Sequence, residues 1–293
     1  MIDIIIGGCS FTHNENSWAE HLAKHYEKDS VSVTNVAQGG VGQEHIVRSC
    51  LVALQKSKNK KICIAQFSGF SRMEVIVDQK ERPELYSSIK SDKGYLKTDK
   101  QQSNAYAETK MRFAGLVEGR QWENHYNDSI ILLRTTDIEG GLTWYQVKTT
   151  AGKILDKYNQ TVGLDQRKML SYEHIASLQW YCKLNNIPLF CFWGWDEYGM
   201  DPHNKEVVNA SRDLVDWDNF WLYDETGGMA EWMIAQGHHG CLDEDDINDP
   251  PKGWRFDLVK GKKIMIGHPT PEAHKDFCGQ IIVPWVKERL LDD

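Results

Sequence analysis

Ile4-Ile5-Ile6-Gly7-Gly8-Cys9-Ser10-Phe11-Thr12 joins an apolar run to two glycines and a serine. Consecutive isoleucines favour a buried strand, and the glycines end it. Ser10 then follows the carboxyl end of that strand, where open α/β sheets bind their ligands. The run lacks the glycine spacing of a dinucleotide site and the Gly-Lys-Ser or Gly-Lys-Thr of a P-loop, and Thr12 stands where a nucleophile elbow needs a second glycine. Ser10 is therefore a candidate nucleophile that belongs to none of these common motifs.

Strands and helices alternate along much of the chain. Apolar runs predict strands over residues 2–8, 31–36, 62–67, 188–193 and 218–223. Helical periodicity predicts helices over residues 17–26, 44–55, 164–185, 227–236 and 272–291. Ser17 and Glu20 have capping-box spacing at the start of the first helix, and Pro284 should kink or split the last. The order predicts a single α/β domain over residues 1–293, a three-layer sandwich with a mostly parallel five-stranded sheet.

A polar segment over residues 77–160 interrupts this alternation after the third strand. It is longer than an ordinary connection within a domain. We interpret it as an insertion that carries helices, one of them over residues 130–134. Its expected role is that of a lid, an interface or a specificity element.

The chain carries a formal net charge of −8 and seven cysteines without a Cys-x-x-Cys pair. The negative charge argues against a nucleic-acid partner. Scattered cysteines in apolar runs are typical of buried, reduced thiols and of synthesis in the cytoplasm.

Met1-Ile2-Asp3 does not open a signal peptide, and no apolar run reaches the roughly 20 residues of a membrane helix, so no membrane partner is expected. The acidic run over residues 243–249 lacks EF-hand spacing, which argues against a calcium site. No cofactor or metal is expected. The oligomeric state stays open.

Tryptophan is frequent, and several of the 11 residues lie close together in the sequence. The clustered ones are Trp193, Trp195, Trp217, Trp221 and Trp232. Indole rings stack on sugars, but they also fill large cores. A glycan surface and core packing both stay open, with core packing favoured.

Three short blocks resemble those of the SGNH (GDSL) hydrolase family and stand in that family's order. Gly8-Cys9-Ser10 is similar to its first block, the run from Asn35 to Gly40 to its second, and His268-Pro269 to its last. The resemblance implies the fold of that family. It also implies Ser10 as the nucleophile, His268 as the base, and the backbone amides of Ser10 and Gly40 as oxyanion donors.

The third block departs from the family. Its strand normally ends with Gly-x-Asn-Asp, whose asparagine is an oxyanion donor, but here the strand ends Gln66-Phe67-Ser68-Gly69. Ser68 or Gln66 can substitute for this donor; we expect Ser68 in the oxyanion hole and Gln66 in contact with the substrate.

The catalytic acid also departs from the family. Met265 stands three residues before His268, where the family has its acid, and the nearest carboxylates are Asp257 and those over residues 243–249. A group such as a backbone carbonyl would then fix the tautomer of the imidazole.

Three other residues are candidates for the site. His13 lies three positions after Ser10 and either lines the pocket or faces solvent. Arg72 follows the third strand and either contacts the substrate or forms a buried ion pair with Glu74. His274 is an alternative base, although a structural role in the last helix is favoured.

Together these features favour a serine esterase that acts on a small-molecule or glycan ester, most plausibly by removing acetate from a carbohydrate. Two alternatives stay open. One is a catalytically degenerate SGNH-like structural or glycan-binding protein, which the missing asparagine and acid would explain. The other is an acyltransferase that uses the same serine. The chain is also similar to SGNH-like proteins of tailed phages, which makes association with a virion an expectation.

Overall fold

The computed structural model describes residues 1–13, 16–27, 31–39, 41–70, 72–78, 80–91, 130–135, 150–195, 205–238, 256–259, 262–265 and 269–291. Its strands are β1 (Ile2–Gly7), β2 (Val31–Asn35), β3 (Lys60–Phe67), β4 (Met73–Asp78), β5 (Ile130–Thr135), β6 (Leu189–Trp193), β7 (Phe220–Trp221), β8 (Phe256–Val259) and β9 (Lys262–Met265). Its helices are α1 (Ser10–His13), α2 (Trp18–His25), α3 (Gln43–Lys56), α4 (Pro83–Ser91), α5 (Thr150–Thr161), α6 (Leu164–Leu184), α7 (Glu206–Arg212), α8 (Met229–Ala235), α9 (Pro271–Phe277) and α10 (Val283–Leu291). A 3-10 turn spans Trp217–Asn219, and a π-helical turn spans Cys278–Ile282.

Five parallel strands form the central sheet in the order β2-β1-β3-β6-β7. Ile4 of β1 pairs with Val33 of β2 on one side and with Ile62 of β3 on the other. Ile4 and Ile62 are fully buried, as expected for strands that are covered on both faces. The α/β class and the five-stranded sheet are confirmed, and each strand pair of this sheet is parallel.

Helices cover both faces of the sheet. The chain crosses from β1 to β2 in one direction and from β2 to β3 in the other, so right-handed crossovers place α2 and α3 on opposite faces. On the α2 side, the rings of Trp18 and Phe277 lie 5.6 and 5.3 Å from that of Phe192 on β6. On the α3 side, α3 packs against α6. The layers are therefore helix, sheet and helix.

The chain reverses its direction across the sheet at β1, because β2 lies on one side of β1 and β3 on the other. The connections that leave β1 and β3 therefore diverge to opposite faces of the sheet. Such a divergence marks the carboxyl ends of β1 and β3 as the switch point of the sheet, the position at which doubly wound sheets form their ligand-binding crevice. Ser10 follows β1 and Ser68 follows β3, so both lie at this edge.

β4 and β5 form a separate antiparallel pair, with Val77 opposite Ile131. The helix predicted over residues 130–134 is therefore wrong. Periodicity cannot assign a short run of isoleucine and leucine to a helix or a strand, and here pairing with β4 produces a strand. Most of the predicted insertion over residues 77–160 lies outside the described residues, so its role stays a prediction.

The last predicted helix consists of three segments. α9 ends at Phe277, the π-helical turn follows, and α10 begins at Val283. Pro284 has no backbone N–H, and in a regular helix its ring would clash with the carbonyl four residues earlier. The wider π turn before it relieves that clash. The structure has a change in helix type before Pro284, where the sequence predicted a kink or a split.

Ser17 precedes α2 as predicted, but the capping box does not form. The Ser17 hydroxyl donates to the Thr12 carbonyl at 2.8 Å. The Glu20 carboxylate accepts the backbone N–H of Asn16 instead of that of Ser17. Ser17 therefore joins α2 to α1, which begins with Ser10.

The core bears out two interpretations made from composition. The described cysteines are free and buried: Cys9, Cys50, Cys63, Cys182, Cys191 and Cys278. Trp193 and Trp232 belong to the core, with 1% and 5% of their surface exposed. Trp195 is only half-buried and follows the carboxyl end of β6.

Candidate functional site

The turn between β1 and α1 is held by a side chain from the neighbouring strand. Gln66 on β3 is fully buried. Its Oε1 accepts the backbone N–H of Cys9 at 3.1 Å and the hydroxyl of Thr12 at 3.0 Å. The Thr12 hydroxyl also accepts the indole N–H of Trp18 at 3.1 Å. These bonds fix both sides of Ser10.

Glycines make room for the Gln66 amide. A Cβ on Gly8 would lie 2.3 Å from Thr12 Oγ1 and 3.1 Å from Gln66 Oε1. A Cβ on Gly194 would lie 2.5 Å from Gln66 Nε2, which donates to the Phe67 carbonyl. Because Gln66 is enclosed in this way, it cannot make the substrate contact predicted from the sequence. It positions the turn that presents Ser10.

Ser10 is the first residue of α1 and is half-buried. The backbone N–H groups of Thr12 and His13 both donate to the Cys9 carbonyl at 3.0 Å, which closes the helical turn. By contrast, neither the Ser10 hydroxyl nor its N–H has a hydrogen-bond partner among the described residues. Both groups of Ser10 can therefore serve a ligand in the crevice.

The loop after β2 is fastened to the same turn. The Asn35 side chain donates to the Thr12 carbonyl at 3.0 Å and accepts the N–H of Ala37 at 3.0 Å. The Gln38 N–H donates to the Gly8 carbonyl at 3.1 Å. Asn35 therefore joins the run from Asn35 to Gly40 to the turn that follows β1. Sequence reasoning did not assign this role to Asn35.

This fastening brings the glycine-rich loop to Ser10. A Cβ on Gly39 would lie 3.8 Å from the Cβ of Ser10. Gly40, the predicted second oxyanion donor, lies outside the described residues. Its role stays a prediction.

His13 is half-buried and contacts the same loop. Its Nδ1 lies 2.9 Å from the Ala37 carbonyl, which can only accept, so Nδ1 carries the proton. In the neutral ring Nε2 is then the basic nitrogen. His13 thus links α1 to the loop, and its predicted contact with substrate stays a prediction.

Ser68 is buried at the carboxyl end of β3. Its hydroxyl lies 2.6 Å from the Val41 carbonyl and 3.1 Å from Gln43 Oε1, and Gln43 in turn donates to the Ser68 carbonyl. A hydroxyl has one proton, and here Val41 and Gln43 already accept it. This arrangement argues against the predicted oxyanion role and makes Ser68 an anchor for the start of α3.

Arg72 lies in the turn between β3 and β4. A Cβ on Gly42 would lie 2.3 Å from the Arg72 carbonyl, so the turn after β3 packs against the start of α3. The guanidinium carbon of Arg72 lies 4.7 Å from the centroid of the Trp195 ring, and that ring lies 5.2 Å from the ring of Phe11. Arg72 was predicted for the site, whereas Trp195 was missed as a site residue. An aromatic residue directly after a strand's carboxyl end was the signal for it.

The C-terminal part of the candidate site is described only in part. His268 lies outside the described residues. The helix that follows it, α9, is capped by Thr270, whose hydroxyl accepts the N–H of Ala273 at 3.2 Å. α9 packs against α2, the helix that follows α1. His274 is 3% exposed within α9, which fits the structural role favoured for it.

The described residues do not identify the carboxylate that would complete a catalytic triad. Asp257 lies in β8, opposite Ile264 of β9. The hairpin of β8 and β9 ends at Met265, shortly before His268. The acidic run over residues 243–249 lies outside the described residues. The identity of the acid therefore stays open.

Within the described part of the chain, no helix is both long and apolar enough to cross a membrane.

Comparisons with protein-family models, with curated proteins and with solved structures found no match to this chain.

Proposed function

We propose that this protein is a serine ester hydrolase of the SGNH type, with Ser10 as the nucleophile and His268 as the general base. The contrast around Ser10 supports this proposal most directly. Cys9, Thr12 and Gln66 bond to one another and hold the turn. Ser10, between them, keeps its hydroxyl and N–H without a partner among the described residues. Such a rigid turn suits a nucleophile, because it fixes the attacking atom while leaving it unbonded.

In the proposed mechanism, His268 takes the proton of Ser10 while Oγ attacks the ester carbonyl. The resulting oxyanion accepts hydrogen bonds from the backbone N–H groups of Ser10 and Gly40. The ester C–O bond then breaks, and the alcohol leaves with the proton from His268. Water gives a proton to His268 and attacks the acyl group on Ser10. The bond between the acyl carbon and Oγ then breaks, Oγ takes the proton back from His268, and the carboxylic acid is released.

An acetylated carbohydrate is the substrate class we favour. Trp195 is half-buried at the carboxyl edge of the sheet, and its ring lies 5.2 Å from that of Phe11, the residue after Ser10. Aromatic rings in such positions bind the apolar faces of sugars. The proposed reaction is therefore the removal of acetate from a sugar hydroxyl.

Labelling by a fluorophosphonate probe and turnover of p-nitrophenyl acetate test the proposal. We expect the wild type to react in both assays and Ser10→Ala to react in neither. Ser177→Ala is the matched control, because the Ser177 hydroxyl donates to the His174 carbonyl within α6, away from the sheet edge. It should react like the wild type. Undiminished labelling or turnover of Ser10→Ala would overturn the serine mechanism.

A glycan-binding protein without catalysis is the second candidate function. It is favoured by the engagement of Gln66 and Ser68, the two side chains considered as replacements for the asparagine donor of the SGNH family. Losing one oxyanion donor typically lowers the rate about 10²- to 10³-fold. Wild-type protein that binds acetylated glycans, yet shows no labelling and no turnover, would identify this function instead.

A further inference from the structure

Arg72 presents a cation with unused hydrogen-bond donors beside the candidate site. Its Nε and Nη1 are shielded from solvent, and neither has a hydrogen-bond partner among the described residues. The guanidinium stacks on Trp195 at 4.7 Å. Because stacking uses the face of the guanidinium, its N–H groups remain in the plane, where they can bind an anion.

Two other described arginines stack on tryptophan, and both have a carboxylate partner. Arg289 lies 4.7 Å from the Trp285 ring and pairs with Glu288. Arg212 lies 5.5 Å from the Trp217 ring and has Asp213 at 3.6 Å. Arg72 has the same stacked arrangement without such a carboxylate among the described residues. Leaving shielded, charged donors unbonded is unfavourable, so the arrangement calls for an acceptor beyond the described residues.

Two paths of contact connect Arg72 to Ser10. Through aromatic rings, Arg72 stacks on Trp195, and Trp195 contacts Phe11, the residue after Ser10. Through the backbone, the Arg72 carbonyl lies against Gly42, at the end of the loop whose Gly39 adjoins Ser10. The guanidinium and the serine therefore belong to one edge of the sheet.

We propose that Arg72 binds a carboxylate of the substrate, so that the ester cleaved at Ser10 is carried by an anionic molecule such as an acidic sugar. The inference rests on the proposed esterase function for its reaction, but not for binding. A carboxylate can accept hydrogen bonds from these N–H groups, and the half-buried ring of Trp195 fits a flat or cyclic molecule beside it. The site thus selects an acid with an acylated ring.

A matched pair of acetyl esters tests the selectivity. 4-Acetoxybenzoate carries a carboxylate, and methyl 4-acetoxybenzoate is its neutral counterpart. We expect wild-type kcat/KM to be higher for the anionic ester. In Arg72→Met that value should fall about 10- to 100-fold, the usual effect of losing hydrogen bonds to a charged group. The value for the neutral ester should fall much less, so that the preference is lost, and Arg72→Lys should recover part of it.

Arg289→Met is the control, because it removes an arginine that stacks on a tryptophan elsewhere in the protein. It removes the same kind of guanidinium–indole contact from α10. We expect it to keep the wild-type preference for the anionic ester. A preference that is absent from the wild type, or equal in wild type and Arg72→Met, would overturn the proposal.

A binding measurement separates this inference from the proposed function. Quenching of tryptophan fluorescence by glucuronate, glucose and inorganic phosphate needs no turnover. Glucuronate that binds to wild type and Arg289→Met, but at least about tenfold more weakly to Arg72→Met, would support the site even if no ester is hydrolysed. Equal binding of glucuronate and glucose, or tighter binding of phosphate than of glucuronate, would overturn the assignment of a carboxylate.

Discussion

Gln66 Oε1 accepts the backbone N–H of Cys9 at 3.1 Å, which joins the carboxyl end of β3 to the turn that presents Ser10. The same oxygen accepts the hydroxyl of Thr12 at 3.0 Å. The position of Ser10, which follows β1, therefore depends on a side chain from the neighbouring strand β3. The Gln66 amide holds Cys9 and Thr12 and makes no hydrogen bond to Ser10 between them.

Gln66→Leu keeps the approximate volume of the side chain and removes its oxygen. The N–H of Cys9 and the hydroxyl of Thr12 then lose their buried acceptor, and we expect the free energy of unfolding to fall by about 2–4 kcal/mol. Esterase activity per folded molecule should also fall. Urea denaturation and steady-state kinetics on the same preparation measure the two effects.

Gln179→Leu is the matched control for this variant. Gln179 is also buried, and its amide bonds the backbone of Asp216 at 2.8 and 2.9 Å. We expect this variant to lose stability but to keep its activity per folded molecule. Loss of activity in both variants would show that Gln66 acts through general stability alone.

Gly8→Ala should destabilise the chain, because its Cβ would lie 2.3 Å from Thr12 Oγ1 inside the fixed turn. Overpacking of this kind typically costs about 1–3 kcal/mol. Gly279→Ala is the comparison, since nothing lies within 4 Å of a Cβ at that position. Thermal unfolding should show a lower Tm for Gly8→Ala alone. Equal Tm values in the two variants would contradict the close packing around Gly8.

Asn35→Ala should detach the loop after β2 from the turn that carries Ser10. The variant loses the bonds to the Thr12 carbonyl and the Ala37 N–H, each 3.0 Å long. Because a small displacement of catalytic groups is costly, we expect kcat to fall about tenfold or more. Asn185→Ala removes a side-chain bond to the Tyr181 carbonyl in α6 and should leave kcat unchanged. An unchanged kcat in Asn35→Ala would remove the loop from the proposed site.

His268→Ala should lower kcat as much as Ser10→Ala does, and the double variant should be no worse than either. Members of one nucleophile–base unit fail together, because each is useless without the other. His274→Ala should behave differently, since His274 is 3% exposed in α9 and its loss should lower Tm more than kcat. Kinetics and thermal unfolding of the variants separate these cases. An active His268→Ala combined with an inactive, stable His274→Ala would identify the other histidine as the base.

The buried thiols should make the fold sensitive to alkaline pH. Burial raises the pKa of Cys278 to about 12, against an ordinary cysteine value of about 8.5. Because the folded-state pKa is the higher one, the stabilising contribution is complete below about pH 8.5 and is lost as the pH rises towards 12. Hydrogen bonds with Cys182 and Cys50, together with burial, also raise the pKa of Cys63.

Urea unfolding at pH 8 and pH 10 measures this effect. We expect the free energy of unfolding to fall between the two pH values, and to fall less in Cys278→Ala. One such group changes that free energy by at most about 1.4 kcal/mol per pH unit. Identical slopes for the variant and the wild type would show that the Cys278 thiol does not contribute.

Strands and helices of the central domain were largely predictable, because each element carries its own local pattern. The isoleucines of β1 form a continuous apolar run, since both faces of a parallel sheet are buried. Ser10 was predictable for the same reason, because the residues after such a strand lie at the ligand-binding edge. Periodicity failed at Ile130–Thr135, where pairing with a distant strand decides the conformation.

Amino-acid order alone therefore established the class of fold and the edge at which Ser10 lies. The tertiary structure decided which polar groups at that edge are already hydrogen-bonded to other parts of the protein. Gln66 and Cys9 stand 57 positions apart in the chain, and only the pairing of β1 with β3 brings the amide beneath the turn. The fold likewise brings Asn35 to Thr12 and Trp195 to Arg72. Hydrogen bonds and ring contacts act over a few ångströms, so their partners are set by strand order and not by neighbourhood in sequence.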